Sequence, residues 1–305
     1  MTTRFHVAAA PCSWGVNFAD SPDNPPWERV LDEASVAGFT AIDLGPVGYF
    51  PTDASHLADE LAKRNLNISA GGLFDPLTVE AAFPAIVDKT RRTCEVLKAQ
   101  KAPRLVIIDD ISETRGRTAG RSWAAVRLDR DQWALMMRRI RELARVARDE
   151  YGVSSFLHPH TGGYIEFEDE IDAAMNDLPA DIVGLCIDTG HTAYAGMDPI
   201  QLIRRYSSRI GHMHLKNVDA SVLAACLADS TDFFSAVSRG VFSLLADGTV
   251  KFEKVRDALD AFEYSGYAVV EQDMDPTGKT SALLNAKANA DYLASLGLMT
   301  RSAGR

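Results

Sequence analysis

Short β-branched or apolar runs alternate with longer stretches of helical periodicity along this chain, and the alternation repeats eight times. The runs predict strands over 6–11, 41–44, 67–71, 104–108, 154–157, 183–187, 210–215 and 267–271. The periodic stretches predict helices that include 26–37, 54–64, 79–99, 131–150, 168–176 and 251–261. Pro25 and Pro26 precede the first helix, Gly38 stops it, and Thr52 or Asp53 can cap the second. Strands fed by helices pair in parallel through right-handed crossovers. Eight such units predict a closed (β/α)8 TIM barrel, one domain over 1–305. The competing doubly wound sheet is disfavoured, because no GxGxxG follows the first run and no shift in composition marks a second domain.

Two connections break the rhythm. After the seventh strand the chain runs from 217 to 250 without a long element, with short helical pieces expected at 221–227 and 232–237. Phe233, Phe234, Phe242 and Leu244 make it too apolar for disorder, so a lid over the barrel mouth or an oligomer contact is expected. The second, after the fourth strand, carries Arg115, Arg117 and Arg121. A solvated loop is the expectation there, with phosphate binding as the alternative.

Composition narrows the class. Hydrophobic residues make up 46% and charged residues 24%, which is globular rather than disordered. Lys and Arg total 32 against 42 Asp and Glu, a formal charge of −10, and that sign opposes nucleic-acid binding. No apolar run approaches a membrane span, and the start reads as a first strand rather than a signal peptide. Cys12, Cys94, Cys186 and Cys226 form no CxxC pair, as expected for reduced thiols in a cytoplasmic protein.

Histidine placement points to the chemistry. Five of the seven histidines, His158, His160, His191, His212 and His214, lie in or just after predicted strand ends. In a parallel barrel those ends share one rim, where active sites form. Four consecutive ends offer His160 or Glu166, Asp188, His214 and Glu271, a mixed imidazole and carboxylate set suited to a divalent cation. Period-2 alternation puts His158 with His160, and His212 with His214, on shared faces. The upper member of each pair, His160 and His214, is expected to reach the ion, which leaves His158 to face a substrate.

At these residues the sequence resembles the xylose-isomerase-like TIM-barrel superfamily of sugar isomerases and epimerases, and within it the inosose (2-keto-myo-inositol) dehydratases. The matching phrases are APCSWGV, AGFTAIDLGPVGYFPTD, HPHTGGYIE, VGLCIDTGHTAYAGMDP, GHMHLKNVD, ADGTVKFEKV and VVEQDMDP, in the family's order over nearly the whole chain. The resemblance implies metal ligands at His160, Asp188, His214 and Glu271, with Mn²⁺ or Co²⁺ expected first and Zn²⁺, Fe²⁺ or Mg²⁺ compatible. It places His191 and Lys216 toward the substrate and Glu166 as a substrate or supporting contact. Epimerases of this superfamily use two metal-bound glutamates; here the fifth-strand position reads as His160, which favours chemistry with one base and a separate acid. The resemblance also implies a homodimer, since such barrels complete their pockets across an interface.

A divalent ion on a ketone and an adjacent hydroxyl acidifies the α C–H by stabilising the developing enediolate. Glu271, His191 and Lys216 are the candidates for moving protons. The expected reaction is β-elimination of water from a small sugar or cyclic keto-polyol, with isomerisation or epimerisation of a ketose on the same metal as the alternative. A non-catalytic sugar-binding barrel and a nuclease relative are the other readings, the latter opposed by the acidic charge. Trp14 is expected to wall the ring and Asp43 to face the substrate, with Tyr49 and Phe50 at the mouth. Asp273 and Asp275 are expected to be solvated. The absence of a Gly-rich phosphate cradle predicts an unphosphorylated substrate.

Overall fold

The computed structural model describes residues 5–274 and 281–299. In chain order the strands are β1 (His6–Ala9), β2 (Ala41–Ile42), β3 (Asn67–Ile68), β4 (Gly71–Asp75), β5 (Arg104–Asp109), β6 (Ser154–Leu157), β7 (Val183–Asp188), β8 (Ile210–Leu215), β9 (Asn217–Val218), β10 (Phe242–Ser243) and β11 (Tyr267–Val270). The helices are α1 (Trp27–Val36), α2 (Ala54–Lys63), α3 (Phe83–Ala99), α4 (Glu113–Gly116), α5 (Arg130–Tyr151), α6 (Glu168–Asp177), α7 (Thr189–Tyr194), α8 (Pro199–Arg205), α9 (Ala220–Ala228), α10 (Phe233–Ser238), α11 (Phe252–Asp260) and α12 (Ala282–Ser295).

The main sheet runs β3-β2-β1-β11-β8-β7-β6-β5-β4, with every neighbouring pair parallel. Its two end strands, β3 and β4, are separated in the chain only by Ser69 and Ala70. They are one interrupted stave, and the sheet is therefore a closed cylinder of eight staves. The strand expected over 67–71 is thus broken and continues to Asp75. Gly71 is required at the restart, where a Cβ would stand 2.9 Å from Thr93 Cγ2 on α3.

Helix boundaries follow local chemistry. Asp53 caps α2 by accepting from the His56 N–H, and Asp129 and Gln132 form a reciprocal capping box at the start of α5. Gly152 ends that helix at φ +71°, in the left-handed region. Helices such as α1, α3, α5 and α11 turn buried apolar faces onto the barrel. Among the described residues no helix is long and apolar enough to cross a membrane.

The connection after β8 folds into the two short helices expected there, α9 and α10, and adds a hairpin in which Val218 pairs with Phe242. With Ala119 from the connection after β5 and Tyr194 from α7, Cys226, Phe233, Ala236 and Val241 build a small second apolar cluster on the carboxyl-terminal rim. The connection after β5 differs from expectation. Arg115 is wholly buried, and its guanidinium donates to both carboxylate oxygens of Glu170 at 2.7 and 3.1 Å and to Glu166 at 3.3 Å. Arg121 is also buried, and only Arg117 is exposed, paired with Glu113. Burial of Arg115 was invisible in the sequence because its counter-charges lie about fifty residues downstream, on the next loop and helix, and Arg121 is buried against the backbone carbonyls of Thr231 and Arg117.

Candidate metal centre and catalytic pocket

The carboxyl ends of β6, β7, β8 and β11 bring His158, Asp188, His214 and Glu271 together, with one ligand atom of each lying within 4.8 Å of the others. His158 is the first residue past β6, yet its N–H still donates to Ile107 O at 2.9 Å, so it remains in the barrel wall. Its Nδ1 lies 2.7 Å from Pro159 O, a group that only accepts. The ring proton is therefore on Nδ1, and the free Nε2 lone pair faces Asp188 Oδ2 at 3.8 Å. Asp188 divides its carboxylate between two tasks. Oδ1 caps α7 by accepting from the Gly190 and His191 N–H groups at 2.7 and 2.8 Å. Oδ2 is buried without a hydrogen-bond partner, as are both nitrogens of His214. His214 Nδ1 lies 3.3 Å from Glu271 Oε2 and 3.8 Å from Asp188 Oδ2.

Buried polar atoms left bare are costly, about 1–3 kcal/mol each, and of these Asp188 Oδ2 and His214 Nδ1 converge with His158 Nε2 and Glu271 Oε2. Two imidazole nitrogens and two carboxylate oxygens in that disposition fit a first-row divalent ion such as Mn²⁺, Co²⁺, Fe²⁺ or Zn²⁺. The residues present fit the expected metal, with one change. His158 stands where His160 was expected. The chain turns immediately after Pro159, with Gly163 N–H donating to His160 O and His160 N–H to Ile165 O, so His160 has left the wall. His160 instead joins His191 and Asp273 in a neighbouring group.

Lys216 binds the two groups together. Its Nζ donates to both oxygens of Asp273 at 3.0 Å and lies 3.0 Å from Glu271 Oε2, 3.4 Å from Asp188 Oδ2 and 3.0 Å from His191 Nε2. Burial works against its charge, but Asp188, Asp273 and Glu271 outweigh it and hold the group as an ammonium. Gly190 makes room for it, since a Cβ there would stand 2.5 Å from Lys216 Cγ. Asp273, expected in solvent, is thus the principal partner of a buried cation. The signal was available: it lies two residues beyond Glu271, on the same side of an extended chain. Asp275 lies outside the described residues.

A cavity of about 490 Å³ opens above the quartet. His158, His160, His214, Lys216, Glu271, Asp273 and Asp43 reach it, and Phe18, Phe74, Phe233 and Phe234 make its walls. Burial holds the His160 imidazole down to about 3, so it meets a ligand as a neutral ring. His191 does not line the cavity; it is buried behind His160, ring centroids 3.8 Å apart, and burial keeps it neutral too.

Four expected contacts lie elsewhere. Trp14 packs in the core and donates Nε1–H to Glu33 at 2.7 Å, because the turn after β1 directs it toward α1. Tyr49 and Phe50 are core residues as well, with Tyr49 Oη bonded to Pro25 O. Glu166 is buried behind the pocket wall and accepts from the Gly120 and Gly162 N–H groups at 2.7 and 3.1 Å and from Arg115. Its donors tie two rim loops together, and none of its oxygens faces the cavity.

The family model described as "Xylose isomerase-like TIM barrel" matches residues 31–296. The chain belongs to this family. Among curated relatives, the rhizopine catabolism protein MocC of Rhizobium meliloti is 32% identical over 94% of this chain and 87% of its own. An inosose dehydratase of Clostridium beijerinckii is 28% identical over 90% of this chain and 92% of its own. A solved structure, the IOLI protein with a bound zinc atom, superposes with a TM-score of 0.72 at 14% identity, covering 96% of this chain and 98% of that one. That last likeness concerns the fold alone.

Proposed function

We propose that this family member is a divalent-metal-dependent lyase that dehydrates a cyclic keto-polyol of the inosose type. The observation that carries the reading is the buried His158–Asp188–His214–Glu271 quartet with Lys216 held 3.0 Å from Glu271. Curated relatives named inosose dehydratase, aligned over most of both chains, support the substrate class.

When bound, the ion would polarise the ketone and make the adjacent C–H acidic. Glu271 reaches the cavity, whereas Asp188 does not line it, so Glu271 is the carboxylate placed to accept the α proton. Lys216, an ammonium at the same wall, delivers a proton to the departing β-hydroxyl, which leaves as water. The 3.0 Å contact then returns the proton from Glu271 to Lys216 and resets both groups. Proton acceptor and donor thus stand on one side of the ring. Epimerisation needs a second acid–base group on the opposite face, and Glu166, the carboxylate offered with His160 at the fifth strand end, is turned away from the cavity. The ketose isomerase and epimerase alternative is accordingly second.

The cavity also speaks to charge. Among the described residues Lys89 and Lys216 are its lining cations, and both are paired with carboxylates, Lys89 with Asp75 at 2.9 and 3.0 Å. Among the described residues no arginine lines it. A phosphate would find no spare cation, which supports an unphosphorylated substrate. The test is incubation of Mn²⁺-loaded protein with 2-keto-myo-inositol in D₂O. Growth of conjugated-dione absorbance with loss of water supports the lyase; deuterium uptake with the mass class retained and no absorbance identifies the isomerase or epimerase instead.

A further inference from the structure

Beside the quartet the barrel holds a second polar group for which the proposed reaction has no task. Asp43 follows β2, its N–H bonded to Ala9 O at 2.9 Å. One carboxylate oxygen accepts the hydroxyl of Ser69, a wholly buried residue. The other lies 3.8 Å from His212 Nε2 and 3.9 Å from His214 Nε2. In register His212 pairs with Cys186 and His214 with Asp188, so the two imidazoles sit one layer apart. Both are buried, and none of their four nitrogens has a hydrogen-bond partner.

His214 Nδ1 faces Glu271 and Asp188. A ring that ligates through Nδ1 must carry its proton on Nε2, and a carboxylate on that side selects this tautomer and makes the ring a better donor. We infer that Asp43 is a positioning residue for the metal centre, its Ser69-anchored carboxylate taking the Nε2–H of His214 and bracing His212 beside it. The gaps exceed a hydrogen bond by under about 1 Å, closed by a small tilt of the rings or spanned by one water. The alternative, a second ion held by Asp43, His212 and His214, would require His214 to lose both ring protons to serve two ions at once.

This inference rests on the metal centre proposed above, and its test separates the two. Metal-stripped full-length chain, Asp43→Ala, Asp43→Asn and Ser69→Ala are titrated with Mn²⁺ and Co²⁺ against a chromophoric chelator, with circular dichroism melts alongside. The expected result is one ion per chain throughout, a Kd raised about 10–100-fold in Asp43→Ala, and smaller shifts in the same direction in the other two. In the Co²⁺-loaded protein, a paramagnetically shifted, slowly exchanging N–H proton from His214 should be present in wild type and lost in Asp43→Ala. A merely structural Asp43 would lower the melting temperature while leaving that resonance in place. Unchanged Kd in Asp43→Ala, or a second ion per chain that this variant removes, overturns the inference. Wild-type protein that takes up no ion overturns the metal centre itself, and this inference with it.

Discussion

Replacing Lys216 by Met tests the electrostatic design of the pocket most sharply, because it should move three observables in different directions. In the metal-free protein the ammonium is the counter-charge for Asp188, Glu271 and Asp273, at 3.4, 3.0 and 3.0 Å. Its removal leaves buried carboxylates facing one another, a defect worth about 3–5 kcal/mol. For a chain of this size that corresponds to a fall of about 6–10 °C in Tm. The same ammonium repels a divalent ion seated among those carboxylates, so Lys216→Met should bind Mn²⁺ more tightly than wild type. Saturating Mn²⁺ should then restore more of the variant's stability than of the wild type's. Turnover should nonetheless fall by about 10²–10⁴, since the acid for the departing hydroxyl is gone. Melts with and without Mn²⁺, a chelator competition and the dione assay measure the three effects. Weaker Mn²⁺ binding together with unchanged metal-free stability would refute the reasoning, as would turnover within a few fold of wild type.

Other consequences follow from the same geometry. His158→Ala should abolish stoichiometric Mn²⁺ binding, whereas His160→Ala should retain the ion and lose turnover; isothermal titration of both variants checks this, and the reverse pattern would restore His160 as the ligand. Burial pushes Glu166 from the usual 4.5 up to about 7. A raised carboxyl contributes stability that is complete below about pH 4.5 and is lost as pH rises through about 7, on the order of 3 kcal/mol across that window. Glu166→Gln, neutral throughout, should therefore flatten the decline of urea-unfolding stability between pH 5 and 8, and parallel pH profiles for variant and wild type would rule out the shift.

The staves of the barrel were legible because strand and helix periods differ and alternate along the chain, and the rim chemistry was legible because parallel strands end together. What escaped was the direction of side chains just past those ends. Period-2 reasoning takes His160 to be the higher of two residues on one face, but Pro159 and the 160–165 turn remove it from the wall, so His158 is the last residue in register. The same reasoning, extended past Glu271, would have found Asp273, where the chain does stay extended. Buried charge was the other blind spot. Arg115 looks like any loop arginine until Glu166 and Glu170 close around it, and Trp14 looks like a sugar-stacking wall until Glu33 on α1 takes its N–H. Such pairings are set by tertiary packing and leave no local pattern.

The central claim is that side chains from the ends of β6, β7, β8 and β11 hold one divalent cation. Diffraction from crystals grown with Mn²⁺, recorded on both sides of the manganese absorption edge, tests it directly. A single anomalous peak bounded by His158, Asp188, His214 and Glu271 is the predicted result. A peak among His160, His191 and Asp273, or none after soaking in manganese, cobalt and zinc in turn, would contradict it.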